Sequence, residues 1–127
     1  MKIISISIDE ETEKEIEETM KAGGYSGRSE TVRSGIRLLS EEVRSLGRLK
    51  DGSFCILVAA HNSRNEGAVS SIKHRYEDVI STQIHNNLKG NKCLEIFLLS
   101  GSAERIRKMV VEFNANKKIS GSKLIIA

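Results

Sequence analysis

Two histidines, an asparagine and a cysteine in the second half of the chain have the residue types and spacing of a metal site. His85 and Asn87 are two residues apart in a segment that reads as a strand, so their side chains share one face. If the loop that follows runs from Leu88 to Lys92, Cys93 lies opposite Asn87 and its thiolate faces the same side, whereas a four-residue loop would turn it away. His74, on the preceding helix, would reach the same metal in its own chain or across an interface. A planar imidazole and thiolate set suits Ni(II) or Cu(II), and a tetrahedral one suits Zn(II).

Each of these residue types also has an ordinary structural use. A lone histidine at a polar helix end is usually solvated, and a cysteine that enters an apolar strand usually belongs to the core. We assign Cys55, between Phe54 and Ile56, to the core. We assign His61 to a polar loop over residues 61–66, with at most a secondary role at a metal.

The elements that must position these residues follow one another as β-α-β-β-α-β, the split ferredoxin-like pattern. Apolar runs and periodicity predict the strands, and Ser102 is the expected cap of the last helix. A turn at Gly90-Asn91 would join the second and third strands. The predicted elements are strand 54–59, helix 67–80, strand 81–88, strand 94–99, a helix from 102 through 113, and strand 123–126.

The chain opens on an alternation of isoleucine and serine from Ile4 to Ile8, which predicts a strand with one apolar and one polar face. Two helices follow, so this strand has no obvious partner in its own domain. We expect it to pair with the same strand of a second copy, and a two-stranded ribbon of that kind fits the major groove of DNA. Ser5 and Ser7, with Lys2, would then face the bases. Alternatively, the segment only dimerises and its serines face water.

The two helices that follow the opening strand have clear start and stop signals. Asp9 is the expected N-cap of a helix over about residues 10–22, which Gly23-Gly24 ends. Ser29 is the expected N-cap of a second, long amphipathic helix, whose free N–H groups would bind a phosphate with the help of Arg28. The apolar positions of that helix are Val32, Ile36, Leu39, Val43 and Leu46.

Charge and composition restrict the classes of protein. Residues 1–52 carry 9 Lys and Arg against 11 Asp and Glu, whereas residues 53–127 carry 11 against 6, so DNA-facing charge must come from local positions of the first half. Two cysteines without a signal-peptide pattern indicate a reducing cytoplasm. No apolar run approaches the roughly 20 residues that span a bilayer. No nucleophile elbow, phosphate loop or paired-carboxylate spacing is present, so we do not expect an enzyme.

The first half resembles the ribbon-helix-helix repressors in IISISIDEE, GYSGRSETVR and the apolar stripe of the second helix. The stretch from His85 to Ile96, with His74 eleven residues before His85, extends the resemblance over nearly the whole chain to the NikR family of nickel-responsive repressors. The resemblance implies an α+β fold: a ribbon-helix-helix domain (1–47), a linker (48–52) and an ACT-like regulatory domain (53–127). It also implies a homotetramer, a dimer of dimers, with nickel bound between subunits.

Carried over residue by residue, the resemblance implies His74, His85 and Cys93 as nickel ligands and Glu95 as an outer hydrogen-bond acceptor. Asn87 stands where the family has a histidine, so the fourth ligand position departs from the family pattern.

We therefore favour a cytoplasmic transcriptional repressor that binds operator DNA and responds to nickel or another transition metal. An alternative keeps the DNA binding but has the ACT-like domain sense a small ligand, with the metal ligands as relics. A further alternative is an antitoxin-like partner that neutralises a protein. The folded second half argues against it, because such partners usually end in a short disordered tail.

Overall fold

The computed structural model describes all 127 residues and divides them into two compact units, Met1–Ser45 and Leu46–Ala127. The helices are α1 (Glu10–Gly23), α2 (Arg28–Gly47), α3 (Glu66–Arg75) and α4 (Ala103–Ala115), and the strands are β1 (Cys55–Asn62), β2 (Ile80–Leu88), β3 (Lys92–Leu99) and β4 (Ile119–Ile126). Short 3₁₀ turns at Ser63–Asn65 and Glu77–Val79 flank α3. No helix combines the length and the apolar character that a membrane crossing requires.

The first unit contains the two predicted helices. The Asp9 side chain accepts a hydrogen bond from the Thr12 N–H at 2.8 Å, and Gly24 ends α1 in the left-handed conformation (φ 71°), so both predicted ends of this helix are confirmed. Helix α2 begins one residue before the predicted cap. The first helical hydrogen bond runs from Thr31 N to Gly27 O, because glycine readily adopts the non-helical backbone of a cap position, and Ser29 therefore lies inside the first turn.

The first unit has almost no core within a single chain. No residue of α1 is buried, and Thr31 is the one buried residue of α2. Residues 1–9 are exposed and belong to no helix or strand, and they form no strand pairing within the chain. The predicted apolar positions therefore face outward, among them Ile4 (79% exposed), Ile6 (68%) and Ile36 (58%). A folded protein rarely leaves such a continuous apolar surface open to water.

The second unit is a four-stranded antiparallel sheet in the order β2-β3-β1-β4, with α3 and α4 on one face. The order of elements, β-α-β-β-α-β, is the predicted one. Alternate residues of β1 and β3 point toward the helices and form the core, where the Phe97 and Phe113 rings meet edge to face at 5.7 Å. The opposite face of the sheet carries half-exposed apolar side chains, including Ile84 (51%) and Ile125 (49%).

Two details of the second unit differ from the sequence prediction. Helix α3 ends at Arg75 rather than at residue 80, and the apolar residues Tyr76 and Val79 are buried from the turn that follows. Residues 48–52, expected to be a linker, pack onto the second unit. Leu49 is buried in its core, and the Asp51 carboxylate accepts a hydrogen bond from the Ala103 N–H at 2.8 Å, at the start of α4.

Candidate metal centre

The β2–β3 hairpin brings the predicted strand residues to one face. Asn87 pairs with Cys93, and His85 pairs with Glu95, all on the side of the sheet that the helices cover. The pairing extends to Leu88 and Lys92, so the loop has three residues rather than the predicted five. The register is unchanged by this difference. Gly90 and Asn91 form the turn with positive φ (78° and 58°), which glycine adopts freely and asparagine tolerates.

Three possible metal donors converge at this hairpin. The Asn87 Oδ1 atom lies 3.3 Å from His85 Nε2 and 3.3 Å from Cys93 Sγ. Two ligands held about 2.0–2.3 Å from one ion, at angles between about 90° and 109°, lie about 2.8–3.7 Å apart. Both distances from the Asn87 oxygen therefore match those between neighbouring ligands of one ion.

Glu95 holds the histidine of this cluster in position. Its Oε1 atom lies 2.6 Å from His85 Nδ1, and its Oε2 atom accepts a hydrogen bond from Gln83 Nε2 at 2.9 Å. Because the carboxylate accepts the hydrogen bond from Nδ1–H, Nε2 is the nitrogen directed at Asn87 Oδ1, to which it donates when the imidazole is protonated. Loss of that proton would leave its lone pair available to a metal.

His61 was wrongly assigned to a loop. It is the last inward residue of β1, 1% exposed, and pairs with Cys93 of β3. Its Nδ1 atom lies 2.9 Å from Asn62 O and its Nε2 atom lies 3.2 Å from Glu95 Oε1, so both ring nitrogens face acceptors. The ring is therefore held by a main-chain carbonyl on one side and a buried carboxylate on the other. This partnership lets a polar ring occupy a core position, where an unpaired one would be costly.

The charges around the cluster favour a cation. The hydrogen bond to Asn87, and then the negative charge of Glu95 and Glu66, raise the pKa of His85 above its ordinary value. Burial, together with the same two carboxylates, raises the pKa of the Cys93 thiol. Without a metal the cluster therefore retains protons, and a metal ion would have to displace them.

His74 does not join the cluster within one chain. It lies in the last turn of α3, with its side chain 67% exposed and Nδ1 2.8 Å from Glu77 Oε1. No group of three or more His, Cys, Asp or Glu side chains in the chain is arranged to hold a metal ion. Of the three predicted ligands, the structure therefore brings together His85 and Cys93, with the Asn87 amide as a third donor. This donor chemistry fits a transition metal but leaves part of its coordination open.

The predicted DNA-facing residues of the opening segment are all at the surface. Lys2, Ser5 and Ser7 are exposed in the segment that precedes α1. The Arg28 guanidinium, expected to bind phosphate, forms ion pairs with Glu17 and with Glu13 of α1, the latter at 3.7 Å. Its charge is therefore partly compensated within the first unit, although 64% of its side chain remains exposed.

The second unit matches a known family over most of its length. The family model for the NikR C terminal nickel binding domain matches residues 52–127. The chain belongs to the NikR family.

Full-length relatives extend this similarity through the first unit. A protein of Methanocaldococcus jannaschii named "Putative nickel-responsive regulator" is 32% identical over 126 residues, which cover 97% of this chain and 89% of that protein. Proteins with the same name from Haloarcula marismortui (30% identity, 92% of this chain and 86% of that protein) and Halobacterium salinarum (29%, 92% and 84%) are also similar.

A solved structure resembles this NikR-family chain in fold. An uncharacterized protein from Thermotoga maritima superposes with a TM-score of 0.56 at 14% identity, over 60% of this chain and 98% of that one. At that identity the likeness concerns the fold alone.

Proposed function

We propose that this NikR-family chain is a transcriptional repressor whose grip on operator DNA is controlled by a transition metal bound at His85, Asn87 and Cys93. The observation that carries the proposal is the convergence of these three donors, with Glu95 behind the imidazole. The names of the relatives make nickel the first metal to test. The family is one of regulators, and the role we propose is accordingly regulatory rather than catalytic.

The DNA-binding part of the proposal is supported by the first unit. One subunit of a ribbon-helix-helix dimer is expected to have an alternating strand and two helices that bury little without a partner. The first unit has this pattern, with isoleucine and serine alternating ahead of α1 and α2. Pairing of two opening segments would cover Ile4, Ile6 and Ile8 and leave Ser5 and Ser7 outward. Those serines and Lys2 would then contact DNA, and Arg28 would lie beside the phosphates at the start of α2.

Assembly of four chains would account for two further features of the single chain, the exposed apolar face of its sheet and the incomplete coordination of its metal cluster. The open apolar face of the sheet, with Ile84 and Ile125, would be covered by another copy. The metal cluster lies beside the edge strand β2, where the His85 side chain is 29% exposed, so a second copy approaching this edge could supply its His74 as a further ligand. We propose a dimer of dimers in which the metal links copies. The metal would favour the arrangement in which two ribbons can bind two half-sites.

The test is DNA selection followed by a binding measurement. Duplexes are enriched from a random-sequence pool with the full chain, in parallel selections with Ni²⁺ and with Zn²⁺, and the selected duplex is then titrated by fluorescence anisotropy with and without metal. We expect the metal to tighten binding by at least about fivefold, the lower end of usual allosteric coupling. The H85A variant should lose this response, and the S5A variant should bind DNA more weakly while still binding metal.

Three outcomes would contradict the proposal in different ways. Failure to enrich any duplex would refute DNA binding. Equal DNA affinity with and without every metal tested would refute metal control. If an amino acid or another metabolite, rather than a metal, changed the affinity, the ACT-like domain would be a small-ligand sensor.

A further inference from the structure

The donors that one chain offers to an ion are of three chemical kinds. His85 Nε2 is an imidazole nitrogen, Cys93 Sγ is a thiol that becomes a thiolate on binding, and Asn87 Oδ1 is a neutral amide oxygen. His61 cannot replace the amide without breaking its own contacts, because both of its nitrogens are engaged by Asn62 O and Glu95. The donor atom between the His85 imidazole and the Cys93 thiol is therefore the Asn87 amide oxygen.

An amide oxygen is a poor ligand for square-planar Ni(II). Square-planar Ni(II) is stabilised by four strong donors such as imidazole nitrogen and thiolate, whereas carbonyl oxygen suits harder ions. Zn(II) has a filled d shell and no geometric preference of its own, and it accepts nitrogen, sulfur and oxygen ligands in a tetrahedron. The 3.3 Å separations of Asn87 Oδ1 from His85 Nε2 and from Cys93 Sγ suit a tetrahedral arrangement at least as well as a planar one.

We propose that Asn87 determines the metal preference of this centre, so that it takes tetrahedral Zn(II) in preference to square-planar Ni(II). The inference rests on the proposed function in one respect, which is that a metal binds at this hairpin. The inference goes beyond the proposed function because it names the ion and the residue that selects that ion.

The chain offers a matched control for a variant at this position. Asn86 is the neighbouring asparagine of β2, but it pairs with Leu94 and faces the open side of the sheet. N87H places an imidazole between His85 and Cys93, whereas N86H adds the same side chain to the same strand on the wrong face. A change seen in N87H and absent from N86H therefore reports coordination rather than added histidine.

The experiment is a competition between Ni²⁺ and Zn²⁺ for the full chain, read by native mass spectrometry, with dissociation constants from a chromophoric chelator. For the wild type we expect zinc to bind at least about tenfold more tightly than nickel. N87H should tighten nickel binding by at least about tenfold, the lower end of what even an outer partner contributes to a metal site. N86H should behave as the wild type.

Spectroscopy reports the coordination geometry of the bound metal independently of its affinity. Co²⁺ bound to the wild type should give the intense visible bands of tetrahedral cobalt. Ni²⁺ should be paramagnetic in the wild type and diamagnetic in N87H, as NMR line widths report. Circular dichroism checks the fold of both variants, and the wild-type comparison decides the preference even if N87H does not fold.

The possible failures are distinguishable. Nickel binding as tightly as zinc to the wild type, or an unchanged nickel affinity in a folded N87H, would overturn the role of Asn87 and leave metal control standing. No tight binding of nickel, zinc or cobalt by the wild type would overturn metal control itself, and this inference with it.

Discussion

The substitution I6A tests whether the opening segment is half of an intermolecular ribbon. Ile6 is 68% exposed in the single chain, although it lies in the apolar register of the alternation with Ile4 and Ile8. If two segments pair, this exposed area becomes buried. If they do not, the side chain stays in water and its loss changes almost nothing.

The magnitude follows from the exposed fraction. I6A removes three side-chain carbons, each worth about 0.8 kcal/mol when fully buried. Scaled by the 68% that a partner would cover, this is about 1.6 kcal/mol per chain. A symmetric pair loses it twice, about 3 kcal/mol, or roughly a hundredfold in the pairing equilibrium.

Hydrogen exchange read by mass spectrometry measures this equilibrium in the full chain. Backbone amides that pair between two copies exchange slowly, and opening of the pair sets their rate. We expect amides of residues 3–8 to be protected in the wild type and to lose about a hundredfold of that protection in I6A. S5A is the matched control, because Ser5 lies on the other face of the segment. Its protection should change by about twofold or less, as surface substitutions usually do.

Two results would refute the reasoning. Exchange of residues 3–8 at the rates of a free peptide in the wild type, at micromolar concentrations and above, would show that no partner strand exists. Equal protection in I6A and the wild type would show that the isoleucines do not form the buried face.

Two further predictions concern the metal centre. Because the pKa values of His85 and Cys93 are both raised, the metal-free fold gains stability from their protonated forms, and this gain is lost as pH rises through the folded-state pKa values. Metal binding displaces the same protons, so the affinity for the metal should rise with pH. The metal-induced increase in Tm, followed by calorimetry, should therefore be larger at pH 8 than at pH 6. A metal affinity that does not depend on pH would contradict the assignment of these ligands. E95Q should weaken metal binding by about 10–100-fold, because the carboxylate that holds His85 Nδ1 is lost, while circular dichroism stays native; an unchanged affinity measured by chelator competition would show that Glu95 does not position the ligand.

Local signals account for what the sequence predicted well. The caps at Asp9 and Ser102 act through hydrogen bonds to an N–H three residues away, so neighbouring residues decide them. The pairing of Asn87 with Cys93 was one of two arrangements that the sequence left open, because the length of a hairpin loop sets the register of the strands it joins. The start of α2 at Arg28 was missed by two residues, since both Gly27 and Ser29 are good cap residues.

The sequence by itself determined the order of the elements, their amphipathic faces and the strand face that His85 and Asn87 share, whereas the side of Cys93 depended on the loop length. These features depend on periodicity and turn length, which are written in consecutive residues. Only the tertiary structure decided that His61 is buried against Glu95 and that His74 stands apart from the other ligands. His61 contacts Glu95 because β1 lies beside β3 in the sheet. The two residues are 34 positions apart in sequence, so no local pattern encodes their contact. Sheet order and helix placement are set by burial across the whole unit, and they determine which of the chemically suitable side chains converge.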